Sequence, residues 1–290
     1  MVNKVHVSRC ALPGFLAACF VLSGAAMVAF REGSTKGAAY SYVQPDDATF
    51  GVWGLIYALQ LVLVAAQLVA VQVAGLEEAR TWLALNYVSN GSWLVVNGAA
   101  NSRGGFSFWL AVVVLWLNLY SLVRAYLALG VDYTSPKHSL AAKICLFLPV
   151  SCNLSWVVLA AVLNAVNTLY DPADANKVAV GGADFAIAVA GVACLLACYL
   201  AVTRLDAGYA LVAVLYFLGL HRNQQPGASS PLRGSADLDS MAIGCCVAVV
   251  LSYLLGLSLW ICGASRDSGE ERLLKGDERL GTIKGAYAAL

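Results

Sequence analysis

Long runs of apolar residues, separated by short polar segments, dominate the chain. We identify eight such blocks, at residues 11–30, 50–75, 82–101, 105–129, 143–169, 183–203, 207–221 and 241–263. A helix that crosses the ~30 Å hydrocarbon layer of a bilayer needs about 20 apolar residues. Backbone groups inside hydrocarbon must pair within the protein, which leaves helices or closed barrels. Because strand-like alternation over about 10 residues is absent, the pattern predicts an all-α, polytopic transmembrane helical bundle.

Two of the blocks leave the number of spans open. Block 207–221 is short and is flanked by Asp206 and by His221 and Arg222, so the chain has about eight spans, or seven if this block does not cross. Block 11–30 follows two basic residues, as the core of a signal peptide does. Its apolar run nevertheless exceeds the ~7–15 residues of such a core, so we expect a retained first span.

The composition is typical of a membrane protein and limits the kinds of partner to expect. The 290 residues are 60% hydrophobic and 12% charged, whereas about 25% of residues are charged in a soluble domain. The net charge of +1 gives no reason to expect a nucleic acid as a partner. The nine cysteines lie in or beside apolar blocks, where cysteine behaves as a small apolar residue. We interpret even Cys194 and Cys198, which share a helical face, as packing residues and not as a metal or redox pair.

Basic residues are distributed unequally between the two sides that eight spans define. Twelve of the 18 Lys and Arg residues fall on the side of the N-terminus and the C-terminal tail. Cytosolic loops carry such an excess, so both termini are predicted to be cytosolic. Segment 222–240 is rich in Pro, Gly and Ser and is predicted to be a solvated loop. For the charged tail, 264–290, we favour disorder over a membrane-surface helix.

Polar and aromatic residues interrupt four of the blocks at helical spacing, so that each set lies on one face of its helix. The four stripes are Phe50, Trp53 and Tyr57; Asn86, Asn90, Trp93 and Asn97; Trp109, Trp116, Tyr120 and Arg124; and Asn153, Trp156, Ala160, Asn164 and Asn167. In one interpretation, the asparagines bond between helices and the tryptophans lie at the membrane interface. In the other, the four stripes converge on a pocket that suits a flat, apolar ligand with polar edges. Trp93 and Trp156 favour the pocket, since both lie near the middle of their blocks.

The apolar interior shows no catalytic constellation. The three histidines lie outside it and no block carries a pair of carboxylates. Asp184 and Asp206 stand at block ends, where we expect them to be solvated. Phosphate-binding glycine loops and the HExxH and GxSxG patterns are missing. We therefore expect a non-enzymatic protein that requires no metal or cofactor, and the lack of buried charge disfavours an ion-coupled pump.

The same stripes resemble the tryptophan-rich sensory protein family (TspO, or translocator protein), and above all its longer members with additional C-terminal spans. Residues 50–57 (FGVWGLIY) follow Pro45, similar to the family's proline and F-x-x-W-G-L-I-Y, and residues 90–93 (NGSW) match its N-x-x-W. A third set resembles the family's proline followed by W-x-x-x-A-x-x-x-N and consists of Pro149, Trp156, Ala160 and Asn164. A fourth set resembles the long members' R-x-D-x-x-Y and consists of Arg204, Asp206, Tyr209 and Gly219.

The resemblance implies a five-helix core, 1–169, extended by additional spans with the polar loop, 170–263, and by the charged tail, 264–290. It also implies that the core binds tetrapyrroles, sterols or similar flat apolar molecules, as a receptor, sensor or carrier. The expected ligand-binding residues are Trp53, Tyr57, Asn90, Trp93, Trp156 and Asn164. The alternative is a structural or assembly subunit of a homodimer or larger membrane complex, in which the stripes are helix contacts and no ligand binds.

Overall fold

The computed structural model describes residues 17–22, 42–68, 73–103, 106–168, 182–225 and 235–288, and the regular elements in these ranges are helical. The helices correspond to the eight apolar blocks. They are α1 (17–22), α2 (Val52–Leu68), α3 (Leu76–Arg103), α4 (Phe106–Leu129), α5 (Leu148–Thr168), α6 (Gly182–Arg204), α7 (Ala207–Gln224) and α8 (Ala236–Ala288). The predicted helical bundle is confirmed. The remainder of block 11–30, and with it the prediction that this block is retained, lies outside the described residues.

Within the described ranges, five helical segments are long and apolar enough to cross a membrane. They are Asp47–Gln67, Trp109–Leu129, Leu140–Val166, Gly182–Arg204 and Ala236–Gly263. Helices α3 and α7 are not among them, because both carry amide and charged side chains. Helix α3, with 28 residues, is long enough to cross. The shorter one, α7, has 18 residues, which is about 27 Å at a rise of 1.5 Å per residue, near the lower limit for a span.

Helix α3 begins with a polar turn that the apolar block did not include. Arg80 in this turn is only 2% exposed. Its guanidinium donates to Gln67 Oε1 at 3.0 Å and to Glu77 Oε1 at 2.6 Å, so the buried charge is both paired and hydrogen-bonded. The connection before the helix requires a glycine. Gly75 has a φ of +78°, and a Cβ there would come within 1.8 Å of the carbonyl oxygen of Ala128.

Helix α5 follows a short distorted helical segment. Ser139 caps the turn Leu140–Ala142 by accepting from the amide of Ala142 at 3.2 Å, and Lys143–Phe147 form a π turn. Pro149 lacks an N–H, and its ring disturbs the hydrogen bonds of the turn before it, which accounts for the wider π geometry. The regular helix that follows is buried more deeply than the other candidate spans.

The helices form two groups that meet along α5. In the first group α3 packs along α4, and α5 packs against α4 and α2. In the second group α8 packs along both α6 and α7. Helix α5 also packs against α7, where Ser155 Oγ donates to the carbonyl oxygen of Tyr209 at 3.0 Å. The additional helices are therefore joined to the first five through a buried interface.

The connection between α6 and α7 contains a buried carboxylate that links three helices. Asp206 caps α7 by accepting from the amide of Tyr209 at 2.9 Å, and its other oxygen accepts from Tyr126 Oη at 2.8 Å and from Ser151 Oγ at 2.9 Å. The expectation that Asp206 is solvated is wrong, because donors from α4, α5 and α7 replace water around a side chain that is 0% exposed. Burial raises the pKa of the Asp206 carboxyl. Asp184, by contrast, is exposed.

Helix α7 runs the full depth of the bundle. It begins beside the end of α4, and its last turn lies beside the chain that leads into α2, where Arg222 Nε donates to Asp46 Oδ2 at 3.0 Å. The predicted solvated loop 222–240 is wrong at both ends, because its first three residues belong to α7 and its last five, 236–240, belong to α8. Asn223 and Gln224 are 3% and 4% exposed. The Asn223 side chain binds the chain before α2, and Gln224 Oε1 accepts from the amide of Ser235 at 3.4 Å.

Helix α8 continues without interruption to Ala288, through the segment for which the sequence favoured disorder. Trp260 Nε1 donates to the carbonyl oxygen of Thr134 at 3.3 Å, which places this part of α8 beside the connection between α4 and α5. Beyond it, oppositely charged residues such as Glu271 and Lys275 stand four positions apart, a spacing that stabilises helices in water.

The described basic residues lie at two opposite ends of the bundle. Arg80 and Arg124 lie at the end where α3 begins, and Arg124 Nη2 donates to Glu78 Oε1 at 3.2 Å. Arg204 belongs to the same end, and Arg222 lies at the opposite end. This is the grouping on which the predicted orientation depends. Which end is cytosolic stays a prediction.

Candidate functional site

A cavity lies between α1, α2, α3 and α5, near the middle of the bundle. Its empty volume is about 210 Å³, part of which is open to the exterior. The lining residues are Phe20, Trp53, Ile56, Tyr57, Gln60, Asn86, Tyr87, Asn90 and Asn153. Four of these side chains are aromatic and four are amides. The described lining contains no charged side chain, so the cavity is suited to a neutral surface.

Aromatic rings form one continuous wall of the cavity. Phe20 lies 5.5 Å from Tyr87 and 6.0 Å from Tyr57, measured between ring centroids, and Tyr57 lies 5.9 Å from Trp53. Separations of 4.5–7 Å with inclined rings are those of favourable aromatic pairs. The rings come from α1, α2 and α3, so the wall depends on the packing of three helices.

Trp156 of α5 stands in a second layer of rings next to this wall. It packs edge to face on Trp53 at 6.0 Å and on Phe50 at 5.6 Å. Its side chain is 2% exposed, and the buried indole Nε1 has no acceptor among the residues that the structure describes. The buried Nε1 of Trp93 likewise has no acceptor within the described part of the chain. Buried donors of this kind are rare in proteins and call for an explanation.

The amides of the cavity bond to one another and connect four helices. Asn153 Nδ2 donates to Asn86 Oδ1 at 3.3 Å, and Asn86 Nδ2 donates to Asn118 Oδ1. Asn118 Nδ2 reaches Asn90 Oδ1 at 3.4 Å, and Asn90 Nδ2 donates to Tyr57 Oη at 2.7 Å. The chain of bonds thus runs from α5 through α3 and α4 to α2. In an apolar medium such amide pairs hold helices together.

Of the six residues that the sequence predicted to bind a ligand, the structure brings three into the cavity lining. These are Trp53, Tyr57 and Asn90. Trp156 adjoins the lining through its contact with Trp53. Trp93 and Asn164 are partly buried but do not belong to the lining. Asn164 lies two helical turns beyond Trp156, towards the far end of α5.

One stripe does not take part in the predicted convergence. Trp109, Trp116 and Tyr120 of α4 are about half exposed, at 51%, 48% and 49%. Arg124 of the same stripe is outward as well, and its guanidinium stacks 4.7 Å above the ring of Trp82. The expectation that all four stripes meet in a pocket is therefore wrong for α4, because aromatic and snorkelling basic side chains are tolerated on the lipid side.

The sequence analysis did not identify several lining residues. Gln60 continues the stripe of α2, three positions after Tyr57, and this spacing could have identified it. Tyr87 and Phe20 gave no such signal, since each is one aromatic among many apolar neighbours. Asn118, which completes the amide chain from α4, was hidden by the more conspicuous aromatic stripe on the opposite face of that helix.

A comparison with protein-family models matches residues 11–257 to the model described as TSPO-like protein. The match covers most of the chain, including four of the five candidate spans in full and the fifth, Ala236–Gly263, as far as residue 257. No curated protein and no solved structure matches the sequence significantly. Together with the five long apolar helices, the match shows an integral, multi-pass membrane protein. The chain belongs to the family of TSPO-like proteins.

Proposed function

We propose that this protein binds a flat hydrophobic molecule, such as a tetrapyrrole or a sterol, in the cavity between α1, α2, α3 and α5. The observation that carries the proposal is an aromatic wall at mid-depth, next to a buried indole N–H that lacks an acceptor among the described residues. A receptor, sensor or carrier needs only such a site, so we infer a non-enzymatic role. The two termini are proposed to face the cytosol.

The cavity is smaller than the ligand that it would hold. Pockets for drug-sized molecules measure roughly 300–1,000 Å³, whereas the space that a water-sized molecule could occupy here is only about 10 Å³. Binding would therefore require the wall to move. Trp53 and Tyr57 are only partly buried, so their rings can rotate at a lower cost than the fully packed rings of the core. The space thus gained would extend the cavity towards Trp156.

We assign different roles to the amides and to the indoles. The amides already donate to and accept from one another, and a ligand that displaced these bonds would have to replace them. Among the described residues, the indole N–H groups of Trp93 and Trp156 have no such bonds to lose. A carbonyl or hydroxyl oxygen on the ligand would accept from that of Trp156, which adjoins the lining. The amides would then hold the helices at the spacing that the cavity needs.

The proposal is tested by titrating the protein in lipid nanodiscs with protoporphyrin IX and with a fluorescent sterol. Quenching of tryptophan fluorescence should saturate with either probe or with both. Trp156→Ala should weaken binding about tenfold or more through the lost ring contacts. Trp156→Phe, which removes the N–H, should weaken it about fivefold. Trp116→Phe is the matched control, because this exposed residue on α4 lies outside the site.

A structural or assembly role is the second candidate, and the bonded amide chain favours it. If the polar side chains serve only to join helices, neither probe should give saturable binding, and the Trp156 variants should match the Trp116 control. The protein should then co-purify in a stable complex, as a homodimer or with other membrane proteins. Size measurements in mild detergent distinguish the two functions.

A further inference from the structure

The chain that leads into α2, residues 43–50, is held by α7, and we call it the strap. Two buried side chains of α7 bind its main-chain carbonyl groups. Tyr216 Oη donates to the carbonyl oxygen of Val43 at 2.5 Å, and Asn223 Nδ2 donates to that of Gln44 at 2.8 Å. Because these hydrogen bonds are made to the backbone, they hold the path of the strap independently of the conformations of its own side chains.

The middle of the strap lies directly against the last turns of α7. The backbone amide of Asp46 donates to the carbonyl oxygen of Gly219 at 3.0 Å. The carboxylate of Asp46 accepts two bonds from the guanidinium of Arg222, at 3.0 and 3.1 Å. Gly219 permits this approach, because a Cβ there would stand 1.9 Å from Thr49 Oγ1. The strap is thus docked by backbone bonds, an ion pair and close packing.

The other end of the strap belongs to the aromatic layers beside the cavity. Phe50, its last residue, packs edge to face on Trp156 at 5.6 Å. Trp156 in turn packs on Trp53, which lines the cavity. A displacement of the strap would therefore be transmitted through two ring contacts to the wall that a ligand must move.

We propose that α7 acts as a clamp on the strap, and that through the strap the C-terminal helices set how fast a ligand enters and leaves the cavity. The proposal rests on the proposed function. None of the strap residues lines the cavity, so they contribute no ligand contact. Loosening the clamp lowers the barrier to moving Phe50, Trp156 and Trp53, and this barrier is shared by association and dissociation. Both rates rise, and the dissociation constant changes less than either rate.

The decisive variant is Gly219→Ala, with Gly244→Ala of α8 as its control. A Cβ at Gly219 collides with Thr49, whereas a Cβ at Gly244 meets no atom within 4 Å. Stopped-flow quenching by protoporphyrin IX and by the fluorescent sterol, in nanodiscs, measures both rate constants. We expect Gly219→Ala to raise each rate by roughly five- to tenfold, as the loss of one or two strap bonds would. The control should match the parent chain.

Two further variants test the proposal if Gly219→Ala fails to fold. Tyr216→Phe keeps the ring and removes the bond to Val43, and should raise both rates about fivefold. Asp46→Arg should also raise both rates, by about twofold, because the partly exposed pair contributes less. Combining it with Arg222→Asp restores the ion pair in the opposite sense and should return the rates towards those of the parent. A general loss of structure would not be rescued by the exchange.

Hydrogen exchange at the backbone amides of Asp46 and Thr49 measures how often the hydrogen bonds of the strap open, and it needs no ligand. Faster exchange in Gly219→Ala or Tyr216→Phe, with unchanged ligand rates, would overturn the clamp and leave the ligand site standing. Altered equilibrium affinity with unaltered rates of association would also overturn it. If the parent chain binds neither probe, the proposed function fails, and the clamp fails with it.

Discussion

Tyr87 and Gln60 meet at the cavity, where the hydroxyl of Tyr87 donates to Gln60 Oε1 at 2.5 Å. Gln60 Nε2 donates in turn to the carbonyl oxygen of Pro149 at 2.9 Å. One glutamine therefore joins α2 to both α3 and α5. The cavity separates α2 from α3. The long side chains of Gln60 and Tyr87 therefore connect these two helices, which direct helix packing does elsewhere in the bundle.

Replacing Tyr87 by phenylalanine should destabilise the protein without emptying the core. The ring stays, but Gln60 Oε1 loses its donor. We expect the free energy of unfolding to fall by about 0.6–1.7 kcal/mol, the range of hydrogen bonds between membrane helices. Unfolding in mixed micelles measures the change. Tyr199→Phe is the control, since Tyr199 is 60% exposed on α6; equal losses in the two variants would show that the bond contributes nothing.

Asp206→Ala should be among the most destabilising single changes in the chain. It removes the acceptor for Tyr126, Ser151 and the amide of Tyr209, all of which are buried. Each buried donor that is left without an acceptor costs about 1–3 kcal/mol. Asp184→Ala, in the exposed first turn of α6, should cost under about 1 kcal/mol. Thermal unfolding in detergent compares them, and similar melting temperatures would contradict the structural role of Asp206.

The stability of the protein should depend on pH through the same carboxyl. Burial raises the pKa of Asp206 above its ordinary value near 3.8, so the folded chain retains a proton that the unfolded chain releases. The stabilisation is complete below the unfolded pKa and is lost as the pH rises through the folded pKa. The melting temperature, relative to that of Asp206→Asn, should therefore fall as the pH rises above about 4. Parallel curves for the two proteins would show that this proton is not linked to folding.

Two glycines with positive φ should respond differently to alanine. At Gly130, with φ +58° and no atom within 4 Å of an added Cβ, the cost is the backbone strain alone, about 1–2 kcal/mol. At Gly75 the added Cβ also collides with the carbonyl oxygen of Ala128, and overpacking adds about 1–3 kcal/mol. Unfolding in micelles should rank Gly75→Ala below Gly130→Ala. The opposite order would mean that the connection before α3 can move away from α4.

The orientation can be tested by labelling single cysteines in a background that lacks the nine native ones. Lys137 and Arg233 fall on opposite sides of the membrane in the eight-span topology. A thiol reagent that cannot cross membranes, applied to sealed vesicles with the cytosolic face outward, should label Lys137→Cys and should label Arg233→Cys only after permeabilisation. The reverse pattern would invert the predicted topology. Labelling of both positions in sealed vesicles would indicate that a span between them does not cross.

The sequence predicted the helices well because their cause is local. Most of the blocks are long and apolar enough to require a helix in hydrocarbon, whatever the rest of the chain does. The inward faces of α3 and α5 were also predictable. A row of asparagines that faced the lipid would leave its amide groups without hydrogen-bond partners. Asn86 and Asn153, for instance, lie in the cavity lining.

Other parts of the site depend on contacts between distant residues. The aromatic stripe of α4 has the same spacing as the inward stripes, but tryptophan is tolerated on both sides of a membrane helix. Only the position of Asn118 beside Asn86 shows which face of α4 is internal. Asp206 is similar: a carboxylate at a helix end is usually solvated, and the three donors that bury it come from far along the chain.

The bonds of Asp206 also have a consequence for how the protein is made. Tyr126 and Ser151 precede their acceptor by 80 and 55 residues, and a chain is synthesised from its N-terminus at roughly 5–20 residues per second. During insertion both hydroxyls are therefore in place seconds before Asp206 leaves the ribosome. The bonds that Asp206 accepts from α4 and α5 can form only after α7 arrives, so we expect the packing of these two helices to be completed by the C-terminal half.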